Sequence, residues 1–335
     1  MSGMNANTWE KMLNIDRRWI FLMIGVVVIV PFFIRMGLPV VPTDEVRSVY
    51  SLIDTLEADD AVFVGWDFDP GTEAENQPMG IAVLRHAFSR HVPVFVTAVS
   101  PLGQGLAGQG LASVFDTRTP GNFALVRWAD WEPFRAAGHA GRDSLEAAWE
   151  AAGNALPEGA LGWVFEGVDF AHLGYQPLFS LVILGMGSSI AAQYPTDVSG
   201  NPVPEMPMLH AHKNLRDVDL AVTLAGSSAC MWCVIYGNAK VGLPVAFGVT
   251  AVMATDYFPY IQSGQIVGMM GGLRGAAEYE VLETEGGYTQ ATGNAYRGMD
   301  VQSLAHIVII LLVILGNIAF FAGGFHRKTA LKARR

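Results

Sequence analysis

Asp67-Phe68-Asp69 places two carboxylates one residue apart, where the apolar run Ala61–Trp66 gives way to Pro70-Gly71-Thr72. At the end of a strand that spacing suits a nucleophilic carboxylate, an acid/base partner, or paired oxygens for a divalent cation. It equally suits a plain turn in which Asp side chains bond to their own backbone. Asp256 follows a later apolar run, Pro244–Met253, and joins Asp67 and Asp69 as a catalytic candidate. Small polar residues end the equivalent runs: Ser100 after Val92–Val99, Gly187 and Ser188 after Phe179–Leu184, Ser227 and Ser228 after Val218–Leu224. These five are candidate ligand contacts. Residues of these types also start helices, by satisfying free N–H groups.

A strand followed by D-x-D and then Gly-Thr resembles the first motif of the haloacid-dehalogenase-type phosphotransferases. The resemblance covers Ala61–Thr72 only, and Pro70 departs from the pattern. It implies attack on phosphorus by Asp67, acid/base work by Asp69 and a Mg²⁺ ion held between them. Thr97 or Ser100 would supply a hydroxyl, and Lys213 or Lys240 a cation.

Other motifs are less complete. Cys230-Met-Trp-Cys233 has C-x-x-C spacing, and a helix start there could lower a thiol pKa. Trp232 beside the second cysteine favours two buried, inert thiols, and the spacing leaves a disulfide open. His210-Ala-His212 offers two imidazoles with no third zinc ligand nearby. Gly185-Met-Gly187 lacks the third glycine of a dinucleotide turn, and no G-x-x-x-x-G-K-S/T loop occurs. No cofactor is assigned, and Asp67 and Asp69 are the metal candidates.

Positioning these residues falls to alternating short apolar runs and helix-like stretches. Thr43 with Asp44 and Glu45 suits a capped helix through Leu56. Thr72 with Glu75 resembles a capping box for a helix to about His91, and Asp143 with Glu146 another. Runs at 61–66, 92–99, 123–128, 179–184, 218–224 and 244–253 read as strands. Strands nearly continuous in apolar residues imply a buried parallel sheet covered by helices. The expected fold is α/β, a doubly wound, mostly parallel sheet, flanked by N- and C-terminal transmembrane helices. Stretches 179–194, 218–236 and 241–258 are apolar enough to compete as further spans, but Gly, Ser and Asp interrupt them. Pro-rich 195–209 reads as a long loop of the kind used in function or assembly. Gly264, Gly268 and Gly272 recur every fourth residue, as a flat stripe on one helix face would.

The ends set the placement. The division expected is a cytoplasmic lead 1–18, a membrane helix 19–41, an extracytoplasmic domain 42–302, a second membrane helix 303–325 and a basic tail 326–335. The first span, read as an uncleaved anchor, needs Arg35 to snorkel to the headgroups. Lys11, Arg17 and Arg18 precede it, and Arg327, Lys328, Lys332, Arg334 and Arg335 follow the second. From Val41 to Gln302 there are 12 basic and 29 acidic side chains, a net charge of −17. Basic outer flanks put both termini in the cytoplasm and the domain in the periplasm or outside the cell. The acidic charge excludes nucleic acid as a partner. Expected partners are the bilayer, copies of this chain in a cyclic homo-oligomer, and other envelope proteins. Interface candidates are the three glycines and Asn317, a hydrogen-bond donor within the second span. With no complete catalytic set, a non-enzymatic assembly or docking module is the first expectation. The second is a ligand- or metal-binding sensor, or a hydrolase or phosphotransferase-like enzyme, using the Asp67/Asp69 turn.

Overall fold

The computed structural model describes residues 16–33, 37–139, 141–288 and 293–332. The chain divides into two compact units, one running from Val40 to Tyr296, the other made of the terminal segments up to Pro39 and from Arg297. The lead before Asp16, Arg35, and Arg334 and Arg335 of the tail lie outside the described residues.

The larger unit is α/β. Strands β1 (Val62–Asp67), β2 (Val94–Ala98), β5 (Phe170–Tyr175), β6 (Leu220–Ala225), β7 (Val245–Val249) and β8 (Gly268–Gly271) form one sheet in the order β5-β2-β1-β6-β7-β8. Every pairing in it is parallel. Two further strands, β3 (Ala124–Val126) and β4 (Trp163–Phe165), form a separate parallel pair. Helices α2 (Asp44–Thr55), α3 (Glu73–Ser89), α4 (Pro101–Val114), α5 (Trp128–Ala136), α6 (Arg142–Ala151), α7 (Phe179–Met186), α8 (Ala251–Gln262) and α9 (Gly272–Glu285) surround the strands. β1, β2, β6 and β7 are buried along their whole length, which explains their unbroken apolar runs. Gly80 of α3 would drive a Cβ to 2.4 Å from the Trp66 ring, and Gly110 of α4 to 2.7 Å. These two glycines let α3 and α4 lie directly on one sheet face. On the other, Phe63, Phe95 and Phe247 share a core with Val182 and Ile183 of α7 and Tyr257 of α8.

Counted in chain order within this sheet, the arrangement is 3-2-1-4-5-6, the order of doubly wound sheets whose crevice opens where the order reverses. That reversal lies between β1 and β6.

Several expected elements are replaced. Phe179–Leu184 is helix α7, not a strand, because a short apolar run carries no decisive period. Its place at the sheet's edge goes to β5, whose His172 and Gly174 disguise it. Gly264, Gly268 and Gly272 share no helix face. Gly264 (φ +70) closes the turn after α8, Gly268 opens β8, and Gly272 (φ +63) opens α9. A Cβ on Gly268 would come within 2.5 Å of the Glu45 carbonyl oxygen, so this glycine serves the contact with α2. Thr72 and Glu75 make no capping box, since the Glu75 carboxylate accepts from Ala251 N–H at 2.8 Å. Thr43 instead donates its hydroxyl and its N–H to Glu278 of α9, at 2.7 and 2.9 Å. Asp143 does not cap α6, which starts at Arg142 after Gly141, and Glu146 pairs with Arg142 at 2.6 Å. The Pro-rich segment carries a 3₁₀ turn at Val203–Glu205 and a short helix at Met208–Ala211, with Val203, Met206, Met208 and Leu209 in the core. The runs at 218–236 and 241–258 hold β6 and β7, so burial accounts for their apolarity.

The second unit is helical. Helix α1 (Arg17–Phe33) has 17 residues, and residues 37–43 are not helical, so 19–41 is not one continuous helix. At 1.5 Å per residue α1 is about 26 Å long, short of a hydrocarbon core of about 30 Å. Asp300 accepts from Gly37 N–H and Leu38 N–H at 3.1 and 3.0 Å. Helix α10 (Asn294–Lys332) starts inside the expected polar linker, and its stretch Asn294–Phe321 is long and apolar enough to cross a membrane. Asn317 donates to the Val313 carbonyl at 2.9 Å, back onto its own helix.

Candidate functional site

The carboxyl ends of β1, β2 and β6 meet at the reversal point. Asp67, Phe68, Asp69, Thr72, Val99, Ser100, Gly226 and Ser227 line a cavity of about 210 Å³ there. Asp67 is 3% exposed; its Oδ1 accepts from Val99 N–H at 3.0 Å and its Oδ2 has no hydrogen-bond partner. Burial pushes this carboxyl up to about 8, with the Val99 amide pulling the other way. At neutral pH it is therefore held mainly as the uncharged acid, a hydrogen-bond donor. Asp69 is exposed, and its Oδ1 accepts from Gly71 N–H at 2.9 Å, the plain turn geometry. Ser100 caps α4 by accepting from Gly103 N–H at 3.0 Å, and Ser227 accepts from Ala229 N–H at 3.3 Å. Gly226 permits the closest wall-to-wall approach, since a Cβ there would sit 2.4 Å from Thr72 Oγ1.

Behind Asp67, on the same sheet face, the register sets Gly65 between Thr97 and Thr223. The hydroxyls of Thr97, Thr223 and Tyr194 are buried there without hydrogen-bond partners. Cys230 and Cys233 are free and buried. Burial pushes the Cys230 thiol up to about 11 and raises Cys233 further, opposite to the lowering that a helix start could have produced.

Other expected site residues lie elsewhere. Asp256 is exposed on α8 and lines no wall of the crevice. Gly187 and Ser188 follow the C-terminus of α7, because the run before them is a helix rather than a strand. Ser228 is exposed one residue beyond the rim. Thr97 is buried in β2 beneath the cavity, and Lys213 and Lys240 are exposed away from it. The phosphotransferase set is thus not assembled: Asp67 is buried and held by Val99 N–H, Asp69 is turned onto Gly71 N–H, and no Lys or Arg lines the crevice. Among the described residues no three His, Cys, Asp or Glu groups converge to hold a metal ion. His212 is buried with Nδ1 2.8 Å from the Asp217 carbonyl oxygen, and His210 is exposed.

A second cavity, of about 530 Å³, has walls from α4, β3, β5 and Val198-Ser199. Its polar residues are Gln104, Arg127, Glu166, His172 and Ser199. None was legible as a site, because they come from α4, β5 and three separate connections and form no motif. Comparison with family models, curated proteins and solved structures finds no match to this chain.

Proposed function

We propose that the chain is a membrane-held, extracytoplasmic module that binds a small uncharged, hydroxylated ligand in the crevice between β1 and β6, without catalysing a reaction. The observation that carries this reading is Asp67: a buried carboxyl with an unpartnered oxygen, at the point where such sheets bind ligands. Beside it the crevice offers the Asp69 carboxylate and the Thr72, Ser100 and Ser227 hydroxyls, a mixture of donors and acceptors. No Lys or Arg lines the crevice, so nothing there would hold an anion. Strand order alone would license no function.

Membrane anchoring is supported by side chains that a water-soluble fold would cover. Ile310, Leu311, Val313 and Phe321 of α10 are 57%, 52%, 57% and 70% exposed. Trp19, Phe21 and Ile29 of α1 are exposed as well, which supports α1 as a second anchor. The basic residues outside both helices support cytoplasmic termini and a periplasmic or extracellular domain.

Thermal unfolding of the full chain in lipid nanodiscs, against a panel of monosaccharides and polyols, tests the binding. Saturable stabilisation by a neutral sugar or polyol, lost in Gly226→Val, is expected. Stabilisation by none of them, or equal stabilisation of the variant, rejects the crevice as the site.

A docking role has one specific observation in its favour. Leu178, Leu181 and Leu184 around α7, with Trp232 and Ile235 on the π-helical turn packed against it, are all at least 40% exposed. Leu178 also adopts φ 60, a backbone conformation that a leucine rarely takes. A second copy or another envelope protein covering this patch would show as a solubilised particle larger than a monomer, reduced by Leu181→Ser. A parent particle of monomer mass removes this reading.

A further inference from the structure

The larger cavity is built like a small-molecule site. At about 530 Å³ it falls within the usual range for such pockets. Leu111 of α4, Phe115 just after it, Leu125 of β3 and Phe170 of β5 make an apolar wall. Gly105 and Gly108 keep the α4 side open. A Cβ on Gly105 would meet nothing within 4 Å, and one on Gly108 would stand 3.8 Å from the His172 ring.

Glu166 and Gln104 at the polar end have their acceptors occupied, whereas the buried His172 Nε2 has no partner. Glu166 is buried; Oε2 accepts from Trp128 N–H at 3.0 Å, and Oε1 accepts from the Ser199 hydroxyl at 3.0 Å. Gln104 Oε1 accepts from Tyr175 N–H at 2.9 Å. Arg127 is different. Its side chain is 61% exposed, it faces Glu166 Oε1 at 3.6 Å, and no described hydrogen bond uses its five N–H groups. His172 adds no charge, because burial pushes its imidazole down to about 4. The cavity thus pairs an apolar wall with a guanidinium fork whose geometry matches a carboxylate.

We propose that this cavity binds a small monocarboxylic acid with an apolar body, its carboxylate on Arg127 and its body against Leu111, Phe115 and Phe170. Distant acidic residues of the domain oppose it little, since salt screens charges beyond about 8 Å. The inference is independent of the crevice.

The test uses the full chain in lipid nanodiscs, phenylacetate as the probe and phenylacetamide as its uncharged isostere, followed by titration calorimetry. Phenylacetate should bind saturably, and about tenfold or more tighter than the amide, as loss of a charge-assisted hydrogen bond implies. Arg127→Gln should remove that preference. Gly108→Leu should abolish binding by filling the cavity, and it keeps the proposal testable if Arg127→Gln fails to fold for want of a partner to Glu166. Gly226→Val, in the other crevice, should leave phenylacetate binding unchanged. Absence of saturable binding, equal affinity for acid and amide, or full binding by Gly108→Leu would each overturn the proposal.

Discussion

Gly65 and Asp67 stand two residues apart on one face of β1, and a Cβ on Gly65 would lie 2.6 Å from Asp67 Oδ2. The missing side chain makes the space in which an uncharged carboxyl sits at the end of the central strand. Asp67 Oδ1 is held by Val99 N–H, so the carboxyl cannot swing aside without losing that bond. Gly65→Ala should therefore cost about 1–3 kcal/mol, the range for overpacking a filled core. In an Asp67→Ala background the same change should cost clearly less, because the obstructing oxygen is gone. A double-mutant cycle by chemical denaturation measures the coupling, and strictly additive costs would refute the clash.

Stability should be highest on the acidic side of neutrality. Asp67 and Glu283 are each pushed up to about 8 by burial, from ordinary values of 3.8 and 4.5. Between about pH 4 and pH 8 the folded chain keeps protons that the unfolded chain has released. Stability therefore falls as pH rises through that window and levels off above it, by at most about 1.4 kcal/mol per unit for each group. His86 acts in the opposite sense. Burial lowers it and His172 each to about 4 from 6.5, so their contributions are lost as pH falls below about 6.5. Asp67→Asn should flatten the upper slope partly and Asp67→Asn with Glu283→Gln further. An unchanged slope in both variants would mean that neither carboxyl is stored uncharged.

Much of the fold was legible because burial on both faces leaves a plain signature. β1, β2, β6 and β7 follow from unbroken apolar runs, and Asp67, Asp69, Ser100 and Ser227 were placed at strand ends by the same reasoning. β5 was hidden, since Phe170–Tyr175 includes His172 and Gly174 (φ +80), both shaped by neighbours far along the chain. α7 was mistaken for a strand because eight residues that are mostly apolar carry no period. The glycines at 264, 268 and 272 kept a helical spacing by coincidence, each answering a different local need. Arg127, Glu166 and His172 gave no signal at all, because only tertiary packing brings them to one cavity.

Topology can be read by labelling. Cys230 and Cys233 are buried, so a single introduced cysteine dominates the reaction of the folded chain. Glu158 and Asp16 are both exposed and suit substitution, whereas Glu283 is fully buried and does not. Glu158→Cys should react with an impermeant maleimide from outside the intact cytoplasmic membrane, and Asp16→Cys only after permeabilisation. The reverse pattern would invert the proposed orientation, and reaction of both from outside would remove α1 as a spanning anchor.

The Pro-rich segment should behave as core rather than as a free assembly loop. Met206 is fully buried, and a Cβ on Gly167 (φ +83), in the tight turn between β4 and β5, would stand 3.2 Å from its Cγ. Asp197 secures the segment by accepting from Asn201 N–H at 2.7 Å and from Asn201 Nδ2 at 2.9 Å. With its ends tied and Val203, Met208 and Leu209 also buried, the segment has little freedom to collapse around a deletion. Met206→Ala should therefore cost about 2–5 kcal/mol, the range for removing a large side chain from a packed interior. Ser199→Ala, at the exposed bend of the same segment, removes one hydrogen bond to Glu166 and should cost about 0.5–1.5 kcal/mol. Chemical denaturation of the two variants, with particle mass followed in parallel, separates the roles. Met206→Ala should lower stability at unchanged particle mass. A variant that keeps its stability but changes its mass would return the segment to an interface.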